Sequence, residues 1–135
     1  MSVIRFGVSL EEDLLRRLDR LVEEKQFPNR SQAIRFLINT KMIEQQWKED
    51  EEVAGALVLV YDHHKRDLQK QMTTLQHDYH CLILSSQHIH LNHDLCLETI
   101  TLKGKAGKLN NLSDKLKALK GIHHGELVMT GIPNN

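Results

Sequence analysis

Proline and cysteine are scarce in this chain of 135 residues, two of each, and aromatic residues make up only 4% of it. With Cys81 and Cys96 as the only thiols, a disulfide framework is excluded as the source of stability. Buried or metal-ligating thiols are expected instead. No run of about 18 apolar residues exists, which excludes a membrane-spanning helix. Residues 1–10 have neither the apolar core nor the cleavage site of a secretory signal, so a cytoplasmic location is expected. Net charge is missing too: 18 Lys and Arg balance 18 Asp and Glu. Any contact with nucleic acid must therefore come from a few placed residues and not from a broad basic surface. No G-x-S-x-G, Walker or dinucleotide-binding pattern occurs, which argues against an enzyme and against a small-molecule substrate. What the chain does have in excess is histidine, nine residues, most of them between His63 and His93.

A polar run, Lys48-Glu49-Asp50-Glu51-Glu52, divides two patterns and suggests domains at 1–48 and 53–135. In the first, Ile4-Arg5-Phe6-Gly7-Val8-Ser9-Leu10 alternates with period two, as a half-buried strand does. Ser9 and Glu12 have the spacing of a capping box, so a helix is expected to begin there. Leu14, Leu15, Leu18, Leu21 and Val22 recur at helical spacing until Phe27-Pro28-Asn29 interrupts. Asn29 can cap a second helix carrying Ile34, Leu37 and Ile38. One strand and two helices in so short a stretch cannot bury a core alone. A twin chain supplies the missing strand, which is the logic of a ribbon-helix-helix dimer. Ile4, Phe6, Val8 and Leu10 would then point inward. Arg5, Gly7 and Ser9 would face a DNA major groove, which admits a two-stranded ribbon. Arg30 and the N-terminus of the second helix suit phosphate.

The second pattern reads strand (53–61), helix (64–79), strand (83–91), strand (96–103), helix (108–119) and strand (123–129), with Gly121 expected as the residue that ends the second helix. Two βαβ halves of this kind make a ferredoxin-like α+β sandwich, with helices on one side of the sheet and the other side open. The strand 53–61 is apolar throughout and is expected to be buried on both faces.

The chemistry lies in His88-Ile89-His90-Leu91-Asn92-His93-Asp94-Leu95-Cys96-Leu97-Glu98. Asn92-His93-Asp94 forms turns readily. A hairpin centred on His93 sets His90 opposite Cys96, His88 opposite Glu98, and Ile89 opposite Leu97. Directly opposed residues share a face about 4.5–5.5 Å apart. Ile89, Leu91, Leu95 and Leu97 are therefore expected against the helices, and His88, His90, Cys96 and Glu98 on the open face. There two imidazoles and a thiolate could hold a late transition metal, with Glu98 alongside to orient a histidine. Leu84, Ile100 and Leu102, at the same parity, would then form an exposed apolar patch that needs a second subunit. His77, opposite Leu68 around its helix, is placed to reach a neighbouring subunit. Cys81 is expected to be small and buried, and His63, His64, His80, His123 and His124 to lie on the surface.

Over essentially its whole length the chain resembles the nickel-responsive transcriptional regulators, the NikR family. The resemblance rests on Ile4 to Leu10, on Asn29-Arg30-Ser31-Gln32-Ala33-Ile34-Arg35, on Gln76-His77, and on His88-x-His90-x-x-His93-x-x-Cys96-x-Glu98. It implies a homotetramer, a dimer of dimers, in which an ACT-type core carries two ribbon-helix-helix ends that bind a palindromic operator in double-stranded DNA. It also implies one square-planar nickel ion per subunit, held by His88, His90 and Cys96 of one subunit and His77 of another. The implied role is repression of nickel uptake. Two departures stand out. Gly7 replaces a side chain that is often a hydroxyl, and Gln32 and Phe36 stand where some members carry acidic residues for a further cation site. The alternatives are an ACT-type domain that senses an amino acid and one that holds structural zinc. A metallohydrolase is disfavoured, because no glutamate except Glu98 could serve as its base.

Overall fold

The computed structural model describes residues 2–132; the last three residues of the second expected domain lie outside them. Two compact units divide between Lys41 and Met42. The first holds a non-regular segment, residues 2–11, followed by helix α1 (Glu12–Glu24) and the start of helix α2 (Arg30–Lys48). In a single chain the N-terminal segment has no strand to pair with, and its apolar alternation is left in solvent, with Ile4 at 82% and Phe6 at 73% exposure. Helix α1 has no buried residue at all. A strongly amphipathic helix and an alternating apolar segment are thus left without cover in this unit.

Helix α1 begins later than its sequence suggests. Its N-cap is Glu11, without a side-chain cap, so Ser9 is not the capping residue. Glu12 instead sits in the first turn, where it pairs with Arg16 at 3.1 Å and complements the helix dipole. Asn29 does cap α2, its Oδ1 accepting from the Gln32 N–H at 2.9 Å. Both helices end on a non-glycine residue with left-handed backbone, Gln26 (φ 59°) and Asp50 (φ 54°). After each, the next N–H closes back on the helix, Phe27 to Val22 at 2.9 Å and Glu51 to Gln46 at 3.0 Å, the Schellman arrangement.

The second unit is the sandwich. Strands β1 (Glu52–Asp62), β2 (Ile83–His90), β3 (Leu95–Lys105) and β4 (Ile122–Thr130) alternate with helices α3 (Arg66–Asp78) and α4 (Ala106–Lys117) in the expected βαββαβ order. The sheet is ordered β2-β3-β1-β4, with each neighbouring pair antiparallel. Leu57 and Leu59 of β1, Ile100 and Leu102 of β3, Leu68 and Met72 of α3, and Leu109, Leu112 and Leu116 of α4 form one core. The C-terminal part of α2 packs with this unit, where the sequence placed the boundary at 48: the Trp47 indole is 8% exposed and its Nε1 donates to the Thr130 carbonyl at 2.9 Å. Asp50 then links the elements, its Oδ1 accepting from Gly107 N–H in the first turn of α4 at 2.7 Å.

Two expectations are corrected here. Strand β1 is buried on one face and only half-buried on the other; it is apolar throughout because the second face carries Ala54, Ala56, Val58 and Val60. Gly121 does not end α4, whose C-cap is Ala118. It takes φ 106° in the turn into β4, and a Cβ there would stand 3.0 Å from Leu68. No helix among the described residues is long and apolar enough to cross a membrane.

Candidate metal centre

The hairpin that builds the site is fixed locally. The Oδ1 of Asn92 accepts from the backbone N–H groups of Asp94 (2.9 Å) and Leu95 (2.8 Å), a side chain mimicking a backbone turn. Leu91 N–H then donates to the Leu95 carbonyl at 2.8 Å. The resulting register sets His90 against Cys96, Ile89 against Leu97 and His88 against Glu98, the pairing expected from the turn.

The face is the reverse of the expected one. Strand β1 pairs Tyr61 with Cys96, Leu59 with Glu98 and Leu57 with Ile100, so all of these point toward the helices. Cys96 is 1% and Glu98 6% exposed, while Ile100 and Leu102 are fully buried. Ile89 and Leu91, expected in the core, are 51% exposed on the open side. The apolar set Leu84, Ile100 and Leu102 was expected to need a second subunit. Its two buried members are covered by α3 and α4 of the same chain, and Leu84 alone stays exposed at 63%. The uncovered apolar surface is instead Ile89, Leu91 and Val128 (54% exposed), beside half-buried Val58 and Val60.

On the helix side, His63, Gln69, His88, His90, Cys96 and Glu98 line a cleft of about 320 Å³. The buried Glu98 carboxylate accepts from Tyr61 Oη (2.8 Å), Gln76 Nε2 (2.7 Å) and Ser86 Oγ (3.1 Å), three hydrogen bonds that offset the cost of burying so polar a group. Burial first, and the Glu98 acceptor second, push the Tyr61 phenol well above its ordinary value, which keeps it a donor. Tyr61, Gln76 and Ser86 were not singled out as site residues in the sequence. Tyr61 could be recognised only once strand 53–61 was known to pair with 95–105.

Two imidazoles and a buried thiol around one cleft suit nickel, zinc or copper and not a hard cation. When bound, such an ion would supply a fixed bridge between the donors that hold it. His88, His90 and Cys96 would be those donors, with Glu98 beside His88. The side chains are not drawn together around a centre in this chain: His90 instead stacks on His63, ring centroids 4.3 Å apart. His77 is exposed on α3, next to Gln76 but not lining the cleft, and its ring stacks on His80 at 5.9 Å. Cys81, expected to be buried, is exposed, with Sγ 3.5 Å from His80 Nε2. His63, expected on the surface, is half-buried in the cleft wall.

Glu98→Gln offers a direct check on the carboxylate. It replaces one acceptor oxygen by a donor among three donors, so a loss of about 1–3 kcal/mol in unfolding free energy is expected. A fall of about 10–100-fold in metal affinity should accompany it. Denaturant unfolding and metal titration of the same preparation measure both, and unchanged affinity would remove Glu98 from the site.

In the first unit Arg5, Gly7 and Ser9 are all exposed, and no atom approaches within 4 Å of where a Gly7 Cβ would stand. Arg30 forms a bidentate pair with Asp19 of α1, at 2.7 and 2.9 Å. That contact holds the Asp19 carboxyl below the usual carboxylate range. Phe36 packs on Phe27, centroids 5.4 Å apart, and Gln32 accepts from Arg35 at 3.3 Å, so both positions serve local packing.

Known proteins agree with this division. Residues 4–44 match the ribbon-helix-helix proteins of the copG family, and residues 54–130 match the NikR C-terminal nickel-binding domain. Proteins described as nickel-responsive regulators are 48% identical in Syntrophus aciditrophicus, over 97% of this chain and 96% of that one. Another in Thermococcus onnurineus is 46% identical, over 96% and 95%. Among solved structures, an uncharacterized protein from Thermotoga maritima superposes with a TM-score of 0.54 at 20% identity, over 58% of this chain and 98% of that one, a likeness of fold alone. The fold and the matches thus define a ribbon-helix-helix regulator joined to an ACT-like, nickel-binding α+β domain. More particularly, the chain belongs to the family of nickel-responsive regulators, which are transcriptional regulators and not enzymes.

Proposed function

We propose that the protein is a nickel-dependent transcriptional repressor acting in the cytoplasm, which closes nickel uptake genes by binding a palindromic operator. The observation that carries this reading is the cross-strand set His88, His90 and Cys96 in one cleft, with His77 exposed outside it. Three donors from one subunit and His77 from another make one nickel site per subunit. That requirement ties α3 of one chain to the β2–β3 hairpin of its neighbour. The uncovered apolar face of the sheet, with Ile89, Leu91 and Val128, is a surface that an assembly would bury, and a homotetramer built as a dimer of dimers uses it. Each pair of N-terminal segments forms a ribbon, with Arg5, Gly7 and Ser9 toward the bases and Arg30 near phosphate. Fixing both ribbons in one orientation makes the second half-site contact effectively intramolecular. A clean switch needs the DNA-competent arrangement to hold nickel about 5.5 kcal/mol better than the other.

The test is subunit complementation. His77→Ala and Cys96→Ala should each lose nickel-dependent retardation of operator DNA in a gel shift. Tetramers mixed from the two should regain part of it, since some sites then contain a full donor set. Absence of recovery, with mixing verified by mass, would sink the shared site. Metal removal that unfolds the second unit without changing DNA affinity would point to structural zinc.

A further inference from the structure

We propose that Tyr79 is a positioning residue for nickel binding: it latches the end of α3 to α4 and so holds His77 where a neighbouring subunit's site can use it. The inference rests on the reading of His77 as a ligand shared between subunits. Helix α3 is unevenly held. Its buried residues, Leu68 and Met72, lie in its first two turns, and the turn that carries His77 buries none. By contrast, α4 buries Ala106, Leu109, Leu112, Ser113 and Leu116 along most of its length. A helix end with few buried contacts opens at little cost in free energy, and each opening displaces His77.

Three contacts oppose that fraying. His80 Nδ1 lies 2.9 Å from the His77 carbonyl, a local contact that moves with the helix end. Gln76 Nε2 donates to Glu98 and ties the turn to the sheet. Tyr79 alone reaches the other helix: its Oη accepts from Asn111 Nδ2 at 3.1 Å and from Lys115 Nζ at 2.8 Å. Asn111 and Lys115 stand four residues apart on one face of α4, so both donors come from the better anchored element. The bond from Lys115 is charge-assisted and stronger than one between neutral groups. The Tyr79 ring itself is half-buried against the core. Residues two apart on a helix point roughly 200° away from each other. The end of α3 is therefore gripped on the side facing α4, and His77 is left exposed, turned away from its own core. A ligand presented by an ordered turn is captured more tightly, because apparent affinity scales with the fraction of the competent conformation.

The experiment is a cycle of substitutions in the full-length protein, each variant titrated with nickel alone by calorimetry. Tyr79→Phe keeps the ring and removes the hydroxyl. It should weaken nickel binding by about three- to tenfold and leave the thiolate-to-nickel absorption of the saturated protein intact. Lys115→Met, a change in α4 alone, should reproduce most of that loss. In a His77→Ala background, Tyr79→Phe should weaken binding no further, since the residue through which it acts is gone. In the nickel-free protein, Tyr79→Phe should also speed hydrogen exchange at the amides of residues 76–82, and nickel should slow it again. A Tyr79→Phe protein that binds nickel as tightly as the unmodified one overturns the proposal. So does a loss of the same size with and without His77, which would mark a general structural role. If His77→Ala by itself leaves the affinity unchanged, the shared site fails, and the latch fails with it.

Discussion

Cys96→Ala should abolish the thiolate-to-nickel absorption of the loaded protein and weaken nickel binding by at least about 100-fold, beyond what loss of an outer partner causes. Cys96 supplies the only thiol among the residues lining the cleft, and nitrogen donors cannot reproduce a thiolate's charge donation to the ion. The fold should survive. Its side chain is buried between Tyr61 and the rest of β3, and deleting one sulfur leaves a small void worth about 1 kcal/mol. The core around Leu57, Ile100 and Leu109 is untouched. Spectroscopic titration beside thermal unfolding separates the two effects. A variant that still binds one nickel with the same spectrum would show that the ligand set is wrong.

Arg5→Ala should erase most of the preference for operator over random DNA, a loss of about 1–3 kcal/mol, the worth of one good bidentate base contact. Nickel affinity should be unchanged, because Arg5 lies in the first compact unit and the cleft in the second. Arg30→Ala provides the contrast. Its guanidinium is shared between the expected phosphate contact and Asp19, so its loss should weaken binding to both sequences alike. The salt dependence should flatten by about one unit of slope. Fluorescence anisotropy on operator and scrambled duplexes, at several salt concentrations, distinguishes a reader of bases from a binder of phosphate. An unchanged specificity ratio in Arg5→Ala would make the N-terminal segment a dimerisation device only.

What the sequence determined by itself was local and periodic. The turn at Asn92-His93-Asp94 is built by one side chain within three residues, so the pairing of His90 with Cys96 and His88 with Glu98 followed from it. The order of strands and helices in the second unit followed from periods of two and 3.6, and the incompleteness of the first unit from an alternating strand too short to make a core. What only the tertiary structure decided was which side of the sheet the helices occupy. Alternation reports which residues share a face and not which face is covered, and here both faces of β3 carry apolar residues, Leu95 and Leu97 on one and Ile100 and Leu102 on the other. Right-handed crossovers place α3 and α4 on a common side. Packing against the larger set on β1, Leu57, Leu59 and Tyr61, then selected the side that holds Cys96 and Glu98. Tyr61 and Gln76 reach Glu98 from 37 and 22 residues away. His63 joins His90 and His64 joins His93 across the end of β1. Such meetings depend on long-range pairing of strands, which no spacing along the chain encodes.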